Sequence, residues 1–169
     1  TDSGNIILTK SDTKTSNTYS NIYIYPQITG FTNETDGALA DGGRQTHLIT
    51  ISGNHFGTGG GNAQIVVNGV VPSASTPTWG AASITGVDIP NSGTDSGVIV
   101  VTNLQTSKAS NNSSTFYIYP TITSLTVPTA TTDAAREYLV SDSDGIITIN
   151  GNHFGVAGTV TMLGSTSTQ

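Results

Sequence analysis

The stretch SDSDG at Ser141–Gly145 sets two carboxylates, Asp142 and Asp144, beside a glycine, as calcium loops do. The bidentate Glu that closes an EF-hand loop does not follow, so a polar turn before a strand is the plainer reading and weak calcium binding the sharper one. His47, His55 and His153 are the chain's three histidines. Zinc needs three or four ligands around one point. His47 and His55 flank an extended strand that advances about 3.3 Å per residue, and His153 lies a domain length away, so no metal site is expected. GTGGGN at Gly57–Asn62 is rich enough in glycine to cradle a phosphate. It lacks the Lys-Ser/Thr ending of a P-loop, the third glycine of a dinucleotide fingerprint and a following helix, which leaves a hairpin loop. The eleven acids are scattered, with no carboxylate pair for glycoside hydrolysis and no Gly-x-Ser-x-Gly elbow. The chain is therefore read as a non-enzyme with no cofactor. Trp79, the single tryptophan, could stack on a sugar or touch a partner from its loop, or sit as a satellite of the core. Asn33, Asn111 and Asn112 begin Asn-x-Ser/Thr tripeptides, which matter only where the source glycosylates.

Composition narrows the class. Charged residues make up 9% of the 169 residues, net charge is −6, and Lys plus Arg number five. A nucleic-acid binder needs a basic stripe to neutralise phosphates, and there is none. The same deficit argues against an anionic membrane surface, and no apolar run approaches the ~20 residues of a membrane-spanning helix. With no cysteine, disulfides and thiolate metal sites are excluded. Ser and Thr exceed a quarter of the chain. Thr and β-branched residues favour strands, while Gly, Asn and Ser favour turns, so the expectation is all-β. The uncharged, Thr-rich surface suits an extracellular or cell-surface protein.

The elements that would position any site come in copies. ITISGNHFG at Ile49–Gly57 returns as ITINGNHFG at Ile147–Gly155, 98 residues on. TDSGNIILTKSDTKTSN from Thr1 resembles TDSGVIVVTNLQTSKASN from Thr94, and NIYIYPQITGF from Asn21 resembles TFYIYPTITSL from Thr115. Such self-similarity marks a repeat architecture. Residues 1–25 match the end of a repeat, 26–120 form a whole one, and 121–169 match the first half of the next. Strand side chains alternate between faces. Comparing copies puts Ile49, Ile51, Ile65, Val67, Ile99 and Val101 inside and Thr50 outside. By the same comparison Ile6, Leu8, Ile147, Ile149, Val160 and Met162 should face inward. The run Ile22, Tyr23, Ile24, Tyr25 is apolar on both faces and leaves its orientation open. Phe56 should tuck under the sandwich edge.

Four of these marks resemble the IPT/TIG module: Pro-x-Ile at Pro26, ITISGNHFG, VNG at Val67–Gly69 and YIYP at Tyr117–Pro120. The resemblance covers essentially the whole chain and implies an immunoglobulin-like sandwich of about seven strands, used in tandem, with the bacterial surface-protein type fitting best. It carries over no catalytic residue. The expected architecture is thus a tandem of immunoglobulin-like β-sandwiches: a C-terminal half repeat at 1–25, a complete one at 26–120 and an N-terminal half at 121–169. Half sandwiches expose apolar faces and strand edges, which something must cover. The expected function is a structural subunit or segment of an extracellular filament, stalk or surface layer, joined head to tail by complementation. The partner is another copy or an adjacent repeat of a longer chain, through Ile6, Leu8, Ile22, Ile24, Ile147, Ile149, Val160 and Met162. The alternatives are an adhesin or glycan-binding module, with Trp79 as the contact, and an accessory domain of a larger secreted enzyme.

Overall fold

A computed structural model describes residues 3–57, 59, 61–126, 131–133, 136–139, 147–162 and 165–168, with main chain alone for 3, 131–133, 136–139, 162 and 165–168. All regular structure among them is β-strand, and no helix there is long and apolar enough to cross a membrane. The chain divides into two compact units, Thr1–Ile118 and Tyr119–Gln169. Residues 1–25 belong with the first unit, where the Lys108 ammonium lies 5.1 Å from the Tyr23 ring centre and 5.6 Å from that of Tyr25.

The first unit contains β1 (Ser3–Ile6), β2 (Tyr19–Tyr23), β3 (Gln27–Asn33), β4 (Gly42–Arg44), β5 (Leu48–Asn54) and β6 (Ala63–Val67). It continues with β7 (Thr78–Trp79), β8 (Ser83–Asp88), β9 (Ser96–Gly97), β10 (Ile99–Asn103), β11 (Lys108–Ala109) and β12 (Phe116–Tyr119). A four-stranded sheet runs β3-β5-β8-β7, and three-stranded sheets run β11-β10-β6 and β4-β12-β9. β1 pairs with β2 alone.

The packing follows from alternation. Along β5, Ile49, Ile51 and Gly53 are buried while Leu48, Thr50 and Ser52 are half-buried. Along β10, Ile99, Val101 and Asn103 are buried between half-buried Val100 and Thr102. The four-stranded sheet supplies Ile28, Ile49, Ile51, Ile84 and Val87 to one core, and β6 with β10 supplies Ile65, Val67, Ile99 and Val101. Phe116 and Ile118 of β12 join it, as do Phe56 and Ile89, with Phe116 edge-on to Phe31 at 5.1 Å. Each such aliphatic side chain contributes about 1.5–3 kcal/mol on burial, so this two-layer β-sandwich is held chiefly by its inner faces. Thr50 corrects one expectation. It is half-buried because its hydroxyl donates to Glu34 Oε1 at 2.6 Å, which draws Glu34 over it.

Polar side chains pin the connections. Asn33 Oδ1 accepts the Thr35 and Asp36 N–H groups, and Asn103 Oδ1 accepts those of Gln105 and Thr106. These amides turn the chain at strand ends, the known use of Asn. Asp88 ties the segment after β6 onto β8, its carboxylate accepting the Ala74 N–H at 3.2 Å and the Ser75 N–H at 3.1 Å.

The second unit contains β13 (Thr121–Thr126), β14 (Thr131–Asp133), β15 (Arg136–Leu139), β16 (Thr148–Asn152), β17 (Thr159–Met162) and β18 (Ser165–Thr168). These form three antiparallel pairs, β13 with β16, β14 with β15 and β17 with β18. Asp142 and Asp144 lie outside the described residues.

Candidate assembly interface

The repeats recur in register as well as in letters. β3 meets β5 with Gln27 opposite Asn54, Ile28 opposite Gly53 and, past a bulge, Phe31 opposite Ile51. β13 meets β16 with Thr121 opposite Asn152, Ile122 opposite Gly151 and, past a bulge at the same place, Leu125 opposite Ile149. The turn after each strand is built alike. His55 and His153 both adopt left-handed backbone (φ 59° and 58°), as do Gly57 and Gly155 (78° and 73°). A Cβ at Gly53 would overlap the Gln27 carbonyl and the Phe56 ring, and one at Gly151 would overlap the Thr121 carbonyl and the Phe154 ring. The glycine lets the aromatic fold back under the strand.

The other partial repeat follows the same rule. β1 pairs with β2 through Ser3–Tyr23 and Gly4–Ile22, and β9 pairs with β12 through Ser96–Tyr117 and Gly97–Phe116. The bridge Thr9–Thr15 matches Thr102–Ala109. By equivalence with Phe116 and Ile118, both buried, Ile22 and Ile24 take the positions that face inward in the complete repeat, and Tyr23 and Tyr25 the others. Sequence alternation alone left that choice open.

Burial separates the copies. Ile99 and Val101 are 0% exposed, whereas their counterparts Ile6 and Leu8 are 49% and 70% exposed. Phe56 is 1% exposed and Phe154 43%. Ile24 and Val160 are exposed, and Ile22, Ile147 and Ile149 are half-buried. Met162 has its main chain paired with Ser165, and its side chain lies outside the described residues. Ile6, Leu8 and Ile24 near one end of the chain, and Phe154 and Val160 near the other, are thus exposed where their counterparts are sealed.

These sets carry little charge. Among the described residues, the carboxylates with shifted acidity lie in the complete repeat. Glu34 is held below the usual carboxylate range because its oxygen accepts the Gly86 N–H and the Thr50 hydroxyl. At Asp88 burial pushes the pKa up, but the Ser75 hydroxyl and the Ala74, Ser75 and Asp88 main-chain groups together bring it down.

Other candidates take structural places. His47 Nδ1 lies 3.1 Å from the Asn33 amide nitrogen, and His55 and His153 serve the two turns. Among the described residues no three His, Asp or Glu side chains gather as metal ligands. Trp79 is half-buried against the core, and a Cβ at Gly59 would strike its ring, so Gly59 lies against the indole. Gly57, Gly59 and Gly61 all have positive φ there. Asn33 is buried, with its amide donating to the Gly42 carbonyl at 3.0 Å. Asn111 is spent too: its Oδ1 accepts the Ile28 N–H at 2.9 Å and its Nδ2 donates to the Ile28 carbonyl at 3.0 Å. Sequence reasoning saw Asn111 only as a glycosylation triplet. The repeated Ser-Asn pair, Ser16–Asn17 and Ser110–Asn111, was the signal that could have found its structural role.

No protein family, curated protein or solved structure matches the chain.

Proposed function

We propose that this chain is a structural element of an extracellular filament, stalk or surface layer, built from tandem immunoglobulin-like repeats of IPT/TIG type. It acts by joining rather than by chemistry. The order β3-β5-β8-β7 against β6-β10-β11 corresponds to the A-B-E-D and C-F-G sheets of a constant-type immunoglobulin sandwich, which supports the repeat assignment. The observation that carries the function is the pairing of conserved register with lost burial. The partial repeats pair β1 with β2 as β9 pairs with β12, and β13 with β16 as β3 pairs with β5, and they leave Ile6, Leu8, Ile24, Phe154 and Val160 exposed where the complete repeat buries Ile99, Val101, Ile118, Phe56 and Ile65.

Exposed apolar faces of this kind mark interaction sites. The opposite partial repeat is the cover with the right shape, supplied by a second copy or by an adjoining stretch of a longer chain. A head-to-tail contact is heterologous and propagates unless it closes into a ring. The test compares the chain with a variant lacking residues 1–25, by electron microscopy and light scattering at rising concentration. Linear polymers from the chain and their loss in the truncation support the reading. Polymers of undiminished length in the truncation would overturn it.

A further inference from the structure

The complete repeat is a template for how the two partial repeats fit together. In it β10 lies beside β6 with Val101 opposite Ile65 and Ile99 opposite Val67. Asn111 then clasps both main-chain groups of Ile28. The N-terminal segment reproduces the approach to that clasp. The Leu8 N–H donates to Ser16 Oγ at 3.0 Å and the Ser16 N–H to the Leu8 carbonyl at 2.8 Å. Val101 and Ser110 make the same two bonds at 3.0 and 2.8 Å. Thr13 and Ser107 carry the same positive φ in the turn between, 67° and 55°. Asn17 therefore stands where Asn111 stands. The counterpart of Ile28 is Ile122, at the bulge of β13.

The strand that would receive β1 is also prepared. Val67 pairs with Ile99 and with Val70, so these two partners occupy opposite edges of β6. In β17, Met162 pairs with Ser165, the counterpart of Val67 with Val70. β18 thus takes the Val70 side of β17, and the side that β10 takes in the complete repeat is the one a new strand would use. We propose that residues 4–25 of one copy dock on β13, β16 and β17 of a second copy in the register of the complete repeat, Leu8 opposite Val160 and Asn17 clasping Ile122.

This inference rests on the tandem reading above and adds its partner and its register. A second copy is the occupant because the same chain carries both complementary parts. Like charge does not oppose the joint, since residues 4–25 hold only Lys10, Lys14 and Asp12, while 121–126 and 147–162 contain no Lys, Arg, Asp or Glu. Main-chain pairing supplies affinity and alternate side chains supply specificity, the logic of strand addition. The hybrid has no counterpart of β8, whose Ile84 and Val87 are fully buried in the complete repeat. It buries less than that repeat and is the weakest joint of the polymer.

The chain has no cysteine, which makes cross-linking clean. The full chain carrying Leu8→Cys and Val160→Cys is oxidised and run on a non-reducing gel, beside a shifted control carrying Leu8→Cys and Thr161→Cys. Directly opposed strand residues meet the distance a disulfide needs, so a ladder of linked multimers is expected from the first and none from the second. A monomeric product, linked within itself or not at all, overturns the proposal, as does an equal ladder from the control. Light scattering of the unsubstituted chain separates the two failures. Association without the Leu8–Val160 link defeats the register but not the tandem reading, and no association defeats both. Asn17→Ala should weaken self-association about ten- to a hundredfold, the worth of two hydrogen bonds, and leave the Tm of the complete repeat unchanged. Unchanged association overturns the clasp.

Discussion

Phe56 and Phe154 occupy the same place in the same turn, yet one is sealed and the other wet. The strand before each has the same register, the same bulge and the same left-handed histidine. What differs is everything that packs on top. Phe56 belongs to a core closed by β6, β8, β10 and β12, while the described strands of the second unit form three separate pairs. The comparison separates two contributions that are usually confounded. Local sequence is enough to set the turn and the pairing. Burial needs the rest of the repeat, and with it comes most of the stability.

Truncating the two aromatics tests this most sharply. Phe56→Ala should cost about 3–5 kcal/mol in chemical denaturation, the range for a buried Phe. Phe154→Ala in dilute protein should cost less than about 1 kcal/mol, because its ring is already 43% exposed. Equal costs would break the comparison. Ile51→Ala against Ile149→Ala should repeat the pattern at about 2–5 kcal/mol and under about 1 kcal/mol. A loss below about half a kcal/mol at Ile51 would contradict its fully buried position.

The asparagine pair gives the next effect. Asn111→Ala should cost the complete repeat about 1–3 kcal/mol, since both Ile28 main-chain groups lose their partner. Thermal melts of Asn17→Ala below the concentration of self-association should match the parent.

The smallest effect belongs to acid. Asp88 has a folded pKa below its unfolded value of about 3.9. Its contribution is fully present above that value and is lost as pH falls through the folded pKa. Asp88→Asn should therefore cost about 1 kcal/mol at neutral pH and flatten the loss of stability below about pH 4, read from denaturation midpoints across pH. An unchanged acid limb would show that Asp88 does not carry it.

Much of the core was legible beforehand because strands have a period of two and the repeat supplies a second reading of each position. Ile49, Ile51, Ile65, Val67, Ile99 and Val101 needed no more than that. Thr50 was misjudged because Glu34 reaches it from another strand end, a contact alternation cannot encode. The orientation of Ile22–Tyr25 was undecidable while both faces were apolar, and it became clear only through buried Phe116 and Ile118. β4 was missed because Gly42-Gly43-Arg44 has no strand pattern; it is set beside β12, where a Cβ at Gly42 would overlap the Tyr117 main chain. Ile6, Leu8 and Val160 were read as inward-facing and are exposed, because the residues that seal their counterparts come from elsewhere in the complete repeat. The clasp by Asn111 was not legible, because a side chain that bonds main chain 83 residues away leaves no periodicity.

Asn33, Asn68, Asn103 and Asn111 share a property that reaches beyond packing. Each anchors a distant or turning segment with a neutral amide where many proteins would place a charged pair. An amide does not titrate in the physiological range, and its bonds are not weakened by the ionic screening that erodes surface ion pairs. The ion pair between Lys10 and Asp12, at 4.0 Å with both side chains exposed, adds little. A fold fastened this way should lose little stability as ionic strength rises.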